Sequence, residues 1–242
     1  MRVRLTMNPN LPGELGALWQ GWGVKRPTLL LTLLLLGGSV SACTSSTPAA
    51  PAAQGGTTCA YQAAGTAAKK VSLPPTSGVP NTGTVTYHLQ LNQAKLAVAL
   101  DQAHAPCTVN SFLSLARQGY FDNTSCHRLV DGNGLYVLQC GDPTGTGTGG
   151  PGYQFADELS GNETYTAGTL AMANAGPGTN GSQFFIVYAD SQLTANYTVF
   201  GHVDAEGINA VAGIAEGGQD GSWGDGSGRP LTPVVIKAVT AG

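Results

Sequence analysis

Gly168-Thr169-Leu170-Ala171-Met172-Ala173-Asn174-Ala175-Gly176-Pro177-Gly178-Thr179-Asn180-Gly181-Ser182-Gln183-Phe184-Phe185-Ile186 sets two apolar runs on either side of a turn-rich interruption. Residues 169–173 and 183–188 read as short strands, with Gly176, Gly178 and Gly181 as turn formers between them. In Gln183-Phe184-Phe185 a period of two sends neighbouring phenylalanines to opposite faces, so one fills an interior while the other lines a groove. The pattern extends outward. Val85, Tyr87, Leu89 and Leu91 alternate with Thr84, Thr86, His88 and Gln90, and Leu96, Val98 and Leu100 repeat the alternation after a turn at Asn92-Gln93. Further strands are predicted at 126–130, 136–139, 198–203 and 233–239.

Two segments have helical spacing instead. Pro106 and a Thr108 cap open one with Val109, Phe112, Leu113 and Ala116 on a face, closed by Gly119; the other, near 206–215, aligns Ile208, Val211, Ala212 and Ala215. Eight strands, Gly-rich loops and two helices imply a mainly β chain, an antiparallel barrel or sandwich. Closing the sheet removes exposed edges, and eight strands let side chains fill the interior. A binding site therefore belongs on an outer face.

The 242 residues contain 35 glycines, about twice the ordinary share of ~7%, and only 10% are charged, against about 25% in ordinary chains. That composition excludes a coiled coil, a long-helix bundle and a charge-driven disordered chain. After Cys43, seven Lys and Arg face thirteen Asp and Glu, a net of −6. Such a surface repels phosphate, so nucleic acid is not an expected partner.

Lys25-Arg26-Pro27 leads into the apolar run 29–36 and then Gly37-Gly38-Ser39-Val40-Ser41-Ala42-Cys43, the layout of a signal sequence over residues 1–42. Even counted to Ala42 the stretch is fourteen residues, short of the ~20 that a spanning helix needs. Val40-Ser41-Ala42-Cys43 resembles the bacterial lipobox, which implies lipidation of Cys43 and a lipoprotein held at the outer face of the cytoplasmic membrane, or facing a periplasm where an outer membrane exists. Residues 43–81, rich in Ser, Thr, Pro, Ala and Gly, read as an extended tether. Residues 82–242 form the folded domain. Cys59, Cys107, Cys126 and Cys140 are an even set with three possible disulfide connectivities. Cys126 and Cys140 flank two runs that suit a hairpin, which pairs them and leaves Cys59 with Cys107.

Familiar catalytic signatures fail on inspection. Gly145-Thr146-Gly147-Thr148-Gly149-Gly150 matches a dinucleotide-binding string, but Pro151-Gly152 follows and no helix opens there. His88, His104, His127 and His202 have no ligand spacing, and Cys126-His127 beside Cys140 lacks a fourth zinc ligand, so neither metal nor cofactor is expected. No nucleophile elbow is present.

The opening stretch, together with Cys126-His127-Arg128-Leu129, Gln139-Cys140-Gly141-Asp142-Pro143 and Tyr197-Thr198-Val199-Phe200-Gly201, closely resembles the cyclophilin family of peptidyl-prolyl cis-trans isomerases. The resemblance runs from about Thr84 to Val239. It implies a closed eight-stranded antiparallel β-barrel capped by two helices, and an isomerase acting on X-Pro bonds of exported, proline-containing polypeptides. By the same resemblance Arg128 is the catalytic arginine, Gln139 and Gln183 are polar pocket residues, and Ala173-Asn174 holds the substrate main chain. Phe185 floors a proline pocket walled by Tyr136, Val137, Leu193 and Tyr197.

The chain departs from the family pattern in three places. The segment between Arg128 and Gln139 is longer, through Asp131-Gly132-Asn133-Gly134. Gln192, or a gap, stands where a tryptophan is usual, which implies weak cyclosporin binding, and Tyr197 replaces a usual histidine. A monomer is expected. The competing functions are a non-catalytic proline-peptide-binding module or holdase using the same groove, and an adhesin in which the barrel is only a scaffold.

Overall fold

The structure of the protein, a computed structural model, describes residues 55–242. The signal sequence, Cys43 and the first part of the expected tether lie outside these residues. In chain order the elements are β1 (Gln62–Ala63), β2 (Thr84–Leu91), β3 (Lys95–Asp101), α1 (Pro106–Arg117), β4 (Thr124–Ser125), β5 (Arg128–Gly132), β6 (Leu135–Cys140) and β7 (Tyr153–Gln154), then β8 (Thr169–Met172), β9 (Phe184–Val187), β10 (Val199–Val203), α2 (Ala205–Ala215), β11 (Ser227–Gly228) and β12 (Val235–Ala241). Each strand expected from the alternation has its counterpart among the longer ones.

The expected closed eight-stranded barrel is not confirmed. Ten strands, in the order β11-β5-β6-β9-β8-β10-β3-β2-β12-β4, make one curled antiparallel sheet that forms a half-barrel, and β1-β7 is a separate pair. Among the described residues no ladder joins the outermost strands β11 and β4. At Cys126-His127 the chain passes from β12, with Cys126 N–H donating to Val234 O at 2.9 Å, to β6, with His127 N–H donating to Gln139 O at 3.0 Å.

Period-two alternation splits the side chains between two environments. Leu129, Leu138, Leu170, Phe184, Ile186 and Phe200 are buried inside the curl, while Val130, Val137, Ala171, Phe185 and Val187 form a second cluster on the opposite face. Helix α1 closes the interior: Phe112 lies 5.0 Å from Phe121, 5.4 Å from Phe200 and 5.5 Å, edge-on, from Phe184, ring centroid to centroid. Such aromatic contacts add to the gain from area burial.

Helix α1 is capped from elsewhere in the chain. Its flanking residue Ala105 makes no side-chain cap. Instead, the Glu158 carboxylate accepts from the N–H groups of Cys107 and Thr108 and from the Thr108 hydroxyl, placing negative charge at the positive end of the helix dipole. Asp204 caps α2 through Gly207 N–H.

The expected tether is shorter than residues 43–81, because residues 55–81 pack on the domain. Cys59, Tyr61 and Val79 are buried, and β1 pairs with β7. The Tyr61 hydroxyl donates to Cys107 O and accepts from Asn110, and its ring meets Tyr153 and Phe155 edge-on at 5.5 Å. The disulfides are Cys59–Cys107 and Cys126–Cys140, as the hairpin reading expects. Low-complexity composition concealed the two other anchoring side chains of this strap, Tyr61 and Val79. At the far end of β6, Gly141 (φ +91°) runs so close to Ser182 that a Cβ would lie 2.2 Å from its carbonyl oxygen, so the turn requires glycine.

The Cys59–Cys107 bridge spans 48 residues, so removing it releases loop-closure entropy to the unfolded chain. The Cys59→Ser/Cys107→Ser protein is expected to lose about 2–5 kcal/mol in a urea titration and to be nicked first within residues 55–81 by limited proteolysis.

Candidate active site

Strand register builds the site. Arg128 pairs across to Gln139, Gln139 to Phe185 and Phe185 to Ala171, so four strands, β5, β6, β9 and β8, contribute one row on the outer face. A second row follows, Val130 opposite Val137 opposite Val187. The two rows put a guanidinium, an amide, an aromatic ring and aliphatic side chains on one concave patch.

Over that patch lies a hollow of about 150 Å³ lined by Arg128, Leu135, Val137, Gln139, Phe185 and Leu193, with Ala173, Asn174 and Tyr197 at its rim. The structure therefore gathers Arg128, Val137, Gln139, Ala173, Asn174, Phe185, Leu193 and Tyr197. Tyr136 is not among them. Since Val137 and Gln139 face the hollow, alternation turns Tyr136 to the other side of β6, where its ring lies 6.0 Å from Tyr188, and Leu135 takes the expected place. The longer segment before it is a tight hairpin: Asn133 (φ 57°) and Gly134 (φ 77°) form the two-residue loop between β5 and β6, a turn that favours Asn-Gly.

Phe185 is held edge-on by Tyr197 at 5.7 Å. Tyr165, which no sequence motif singled out, fixes Tyr197 by donating its hydroxyl to Tyr197 O and accepting from Tyr197 N–H, both at 3.0 Å. Gln183 stands beside the hollow rather than in it. Its amide nitrogen donates to Gly147 O and Gly149 O, and its amide oxygen accepts from Gln139 at 2.9 Å. Gln139 is thereby turned so that its own oxygen faces Arg128 Nη1, 3.5 Å away. The Asn174 side chain is spent on its neighbours, donating to Asn196 O and accepting from Gly176 N–H. Its main chain lies just beyond the end of β8 and bonds to no described residue, which leaves an N–H and a C=O for an extended ligand.

The hollow is one part of a longer groove. Through Gln139, Ala173 and Asn174 it adjoins a cavity of about 570 Å³ whose other walls include Gly149, Gln183 and, from the strap, Thr66. Through Asn174 and Tyr197 it adjoins another of about 370 Å³ beside Leu159 and Pro177. An elongated ligand thus fits better than a compact one.

Arg128 has a second set of contacts. Nη2 donates to Asp225 Oδ2 at 2.7 Å and Nε to Ser227 Oγ at 2.8 Å. The side chain is ion-paired and still lines the hollow, because the carboxylate approaches the edge of the fork away from Gln139.

A curled antiparallel sheet, closed by helices, with an arginine-edged groove on its outer face places the chain among the mainly β proteins. Residues 86–241 match the cyclophilin-type peptidyl-prolyl cis-trans isomerase family, and the chain belongs to it. It is 48% identical over 208 residues to the Mycobacterium tuberculosis protein named "Probable peptidyl-prolyl cis-trans isomerase B", a match covering 78% of this chain and 65% of that one, so it spans somewhat less than two thirds of that relative's length. Peptidyl-prolyl cis-trans isomerase A of the same species is 42% identical, with 65% of this chain and 92% of that one covered. Among solved structures, a cyclophilin-type isomerase of Cryptosporidium parvum superposes with a TM-score of 0.59 at 32% identity, covering 66% of this chain and 98% of that one.

Two buried groups beside the site, His127 and Asp142, have lowered pKa values. His127 has neither ring nitrogen hydrogen-bonded, and burial holds its pKa below the ordinary 6.5. Burial pushes the Asp142 carboxyl up, but bonds from Thr144, Gly147 and Gly149 outweigh it and leave the pKa below 3.8. In both cases the unfolded chain binds the additional proton, so stability rises with pH across the shifted range. The His127 contribution is complete above 6.5 and lost as pH falls toward the folded value; that of Asp142 is complete above 3.8 and lost below it. Urea midpoints should therefore fall in two acid steps, and His127→Phe should remove the first alone.

Proposed function

We propose that the chain catalyses cis-trans isomerisation of X-Pro bonds in extended polypeptides. The reading is carried by the row Arg128–Gln139–Phe185 beneath a small hollow in a member of this family. Phe185, Val137, Leu135 and Leu193 hold the proline ring, the Asn174 main chain binds the adjoining peptide, and the flanking cavities take the residues on either side.

Rotation about the bond faces a barrier of ~18–20 kcal/mol because amide resonance must be lost, and without a catalyst it takes tens to hundreds of seconds. No covalent bond breaks, so no nucleophile is needed. As the amide twists, the prolyl nitrogen pyramidalises and regains a lone pair. A hydrogen bond from the Nη1 side of Arg128 strengthens only at that stage and stabilises the twisted amide over either planar form. The apolar walls keep the ring fixed while the carbonyl side turns, and excluding water strengthens the bonds that remain. Tyr197 supplies an aromatic wall, and Gln192 leaves cyclosporin with little grip.

The substrates are exported proteins. Two disulfides among the described residues suit an oxidising compartment, and a lipid on Cys43 would hold the domain at a membrane face.

An exchange-NMR or protease-coupled assay on an Ala-Pro peptide tests this reading. Arg128→Ala should lower kcat/KM by about 10²–10³-fold, the scale for loss of one transition-state donor, with the fold intact. Equal rates for parent and variant would leave the groove as a binding module or holdase.

A further inference from the structure

The 219–229 loop, Gly-rich and outside every motif that marks the family resemblance, is built around Arg128. Asp225 Oδ1 accepts from the Ser227 N–H and hydroxyl, leaving Oδ2 for Arg128 Nη2, while Ser227 Oγ accepts from Nε. The four groups close a ring along one edge of the guanidinium. Trp223 lies under its plane, 5.7 Å from the guanidinium carbon to the ring centroid, within cation–π range. The loop itself is anchored. Strand β11 pairs with β5 at Ser227–Val130 and Gly228–Leu129, Asp220 accepts from the N–H groups of Ser222 and Arg229, and Arg229 Nη1 donates to Gly145 O. Trp223 packs so tightly on Gly147 that a Cβ there would lie 2.2 Å from the indole. Ser227 is fully buried.

We propose that Asp225 and Ser227 are positioning residues that clamp the Nε–Nη2 edge of Arg128 and thereby aim Nη1 at the hollow. This rests on the isomerase reading of the site. An arginine on a flexible stem has considerable rotamer freedom, and a donor serves the twisted amide only if it is already in place. Binding on both sides, with Gln139 on one edge and the Asp225–Ser227 pair on the other, removes that freedom before substrate arrives. The side chains of Arg128 and Asp225 are 25% and 51% exposed, so the pair acts through geometry more than through its worth to folding.

The test is a double-mutant cycle on the full domain, with kcat and KM measured separately on an Ala-Pro peptide. Asp225→Ala and Ser227→Ala should each lower kcat about five- to tenfold, with KM within about twofold and, for the half-exposed Asp225, the unfolding midpoint unchanged. Asp225→Asn, which keeps an acceptor, should recover part of the loss. In an Arg128→Ala background, Asp225→Ala should have no further effect. The proposal is overturned if Asp225→Ala leaves kcat unchanged, raises it, or lowers it equally with and without Arg128. Because the parent is measured in parallel, an inactive parent overturns the isomerase reading itself, and an active parent with an indifferent Asp225 overturns only the clamp.

Discussion

The register of β5, β6 and β9 is the constraint on which the rest of the molecule depends. It sets Arg128 opposite Gln139 and Gln139 opposite Phe185 on the outer face, while Leu129, Leu138 and Phe184 fill the interior beneath. A slip of one residue would invert every side chain, placing the guanidinium in the core and leaving the groove without its ring-binding floor. Core packing and site geometry are thus one specification: the apolar residues that stabilise the curl also fix where the polar row can lie. Cys126–Cys140 and the Asn133-Gly134 turn brace the two ends of the β5–β6 pair.

Around that row, each functional group is oriented by something behind it. Gln183, tied to the glycine loop at 147–149, turns Gln139; Tyr165 fixes Tyr197, which holds Phe185; Asp225 and Ser227 hold Arg128. This arrangement suits a reaction whose barrier is loss of amide resonance, where the catalyst's contribution is a prepositioned donor in a partly dry cleft rather than acid, base or nucleophile. On the proposed reading, a chain so poor in charge needs only a single guanidinium, provided that it does not have to search.

Much of this was legible in the amino-acid pattern because the decisive signals are local. Alternation in Thr84–Leu91 and in Gln183-Phe184-Phe185 is a direct image of the pleat, and the four motif blocks placed Arg128, Gln139, Asn174 and Phe185 together. All but one of the misreadings share a cause: contacts between segments far apart in the chain leave no periodic trace. Composition made residues 55–81 look unattached apart from the Cys59 bridge, yet Tyr61 and Val79 are buried as well. The helix cap came from Glu158, about fifty residues away from the groups it holds, and the Asp225–Ser227 clamp closes over ninety-seven and ninety-nine residues. Tyr136 was misplaced because parity along β6 must be counted from Gln139, and the longer hairpin shifts the alignment by which a family pattern would assign it.

The central claim is that one edge of a held guanidinium meets the reacting nitrogen, and the guanidinium's own resonances report on it most directly. In ¹⁵N-detected NMR of Arg128 titrated with an Ala-Pro peptide, the Nη1 signal should shift and broaden with exchange at the rate of isomerisation, while Nε and Nη2, tied to Ser227 and Asp225, stay in place. Unchanged Nη1 beside a saturated groove, or displacement of Nη2 alone, would contradict the account.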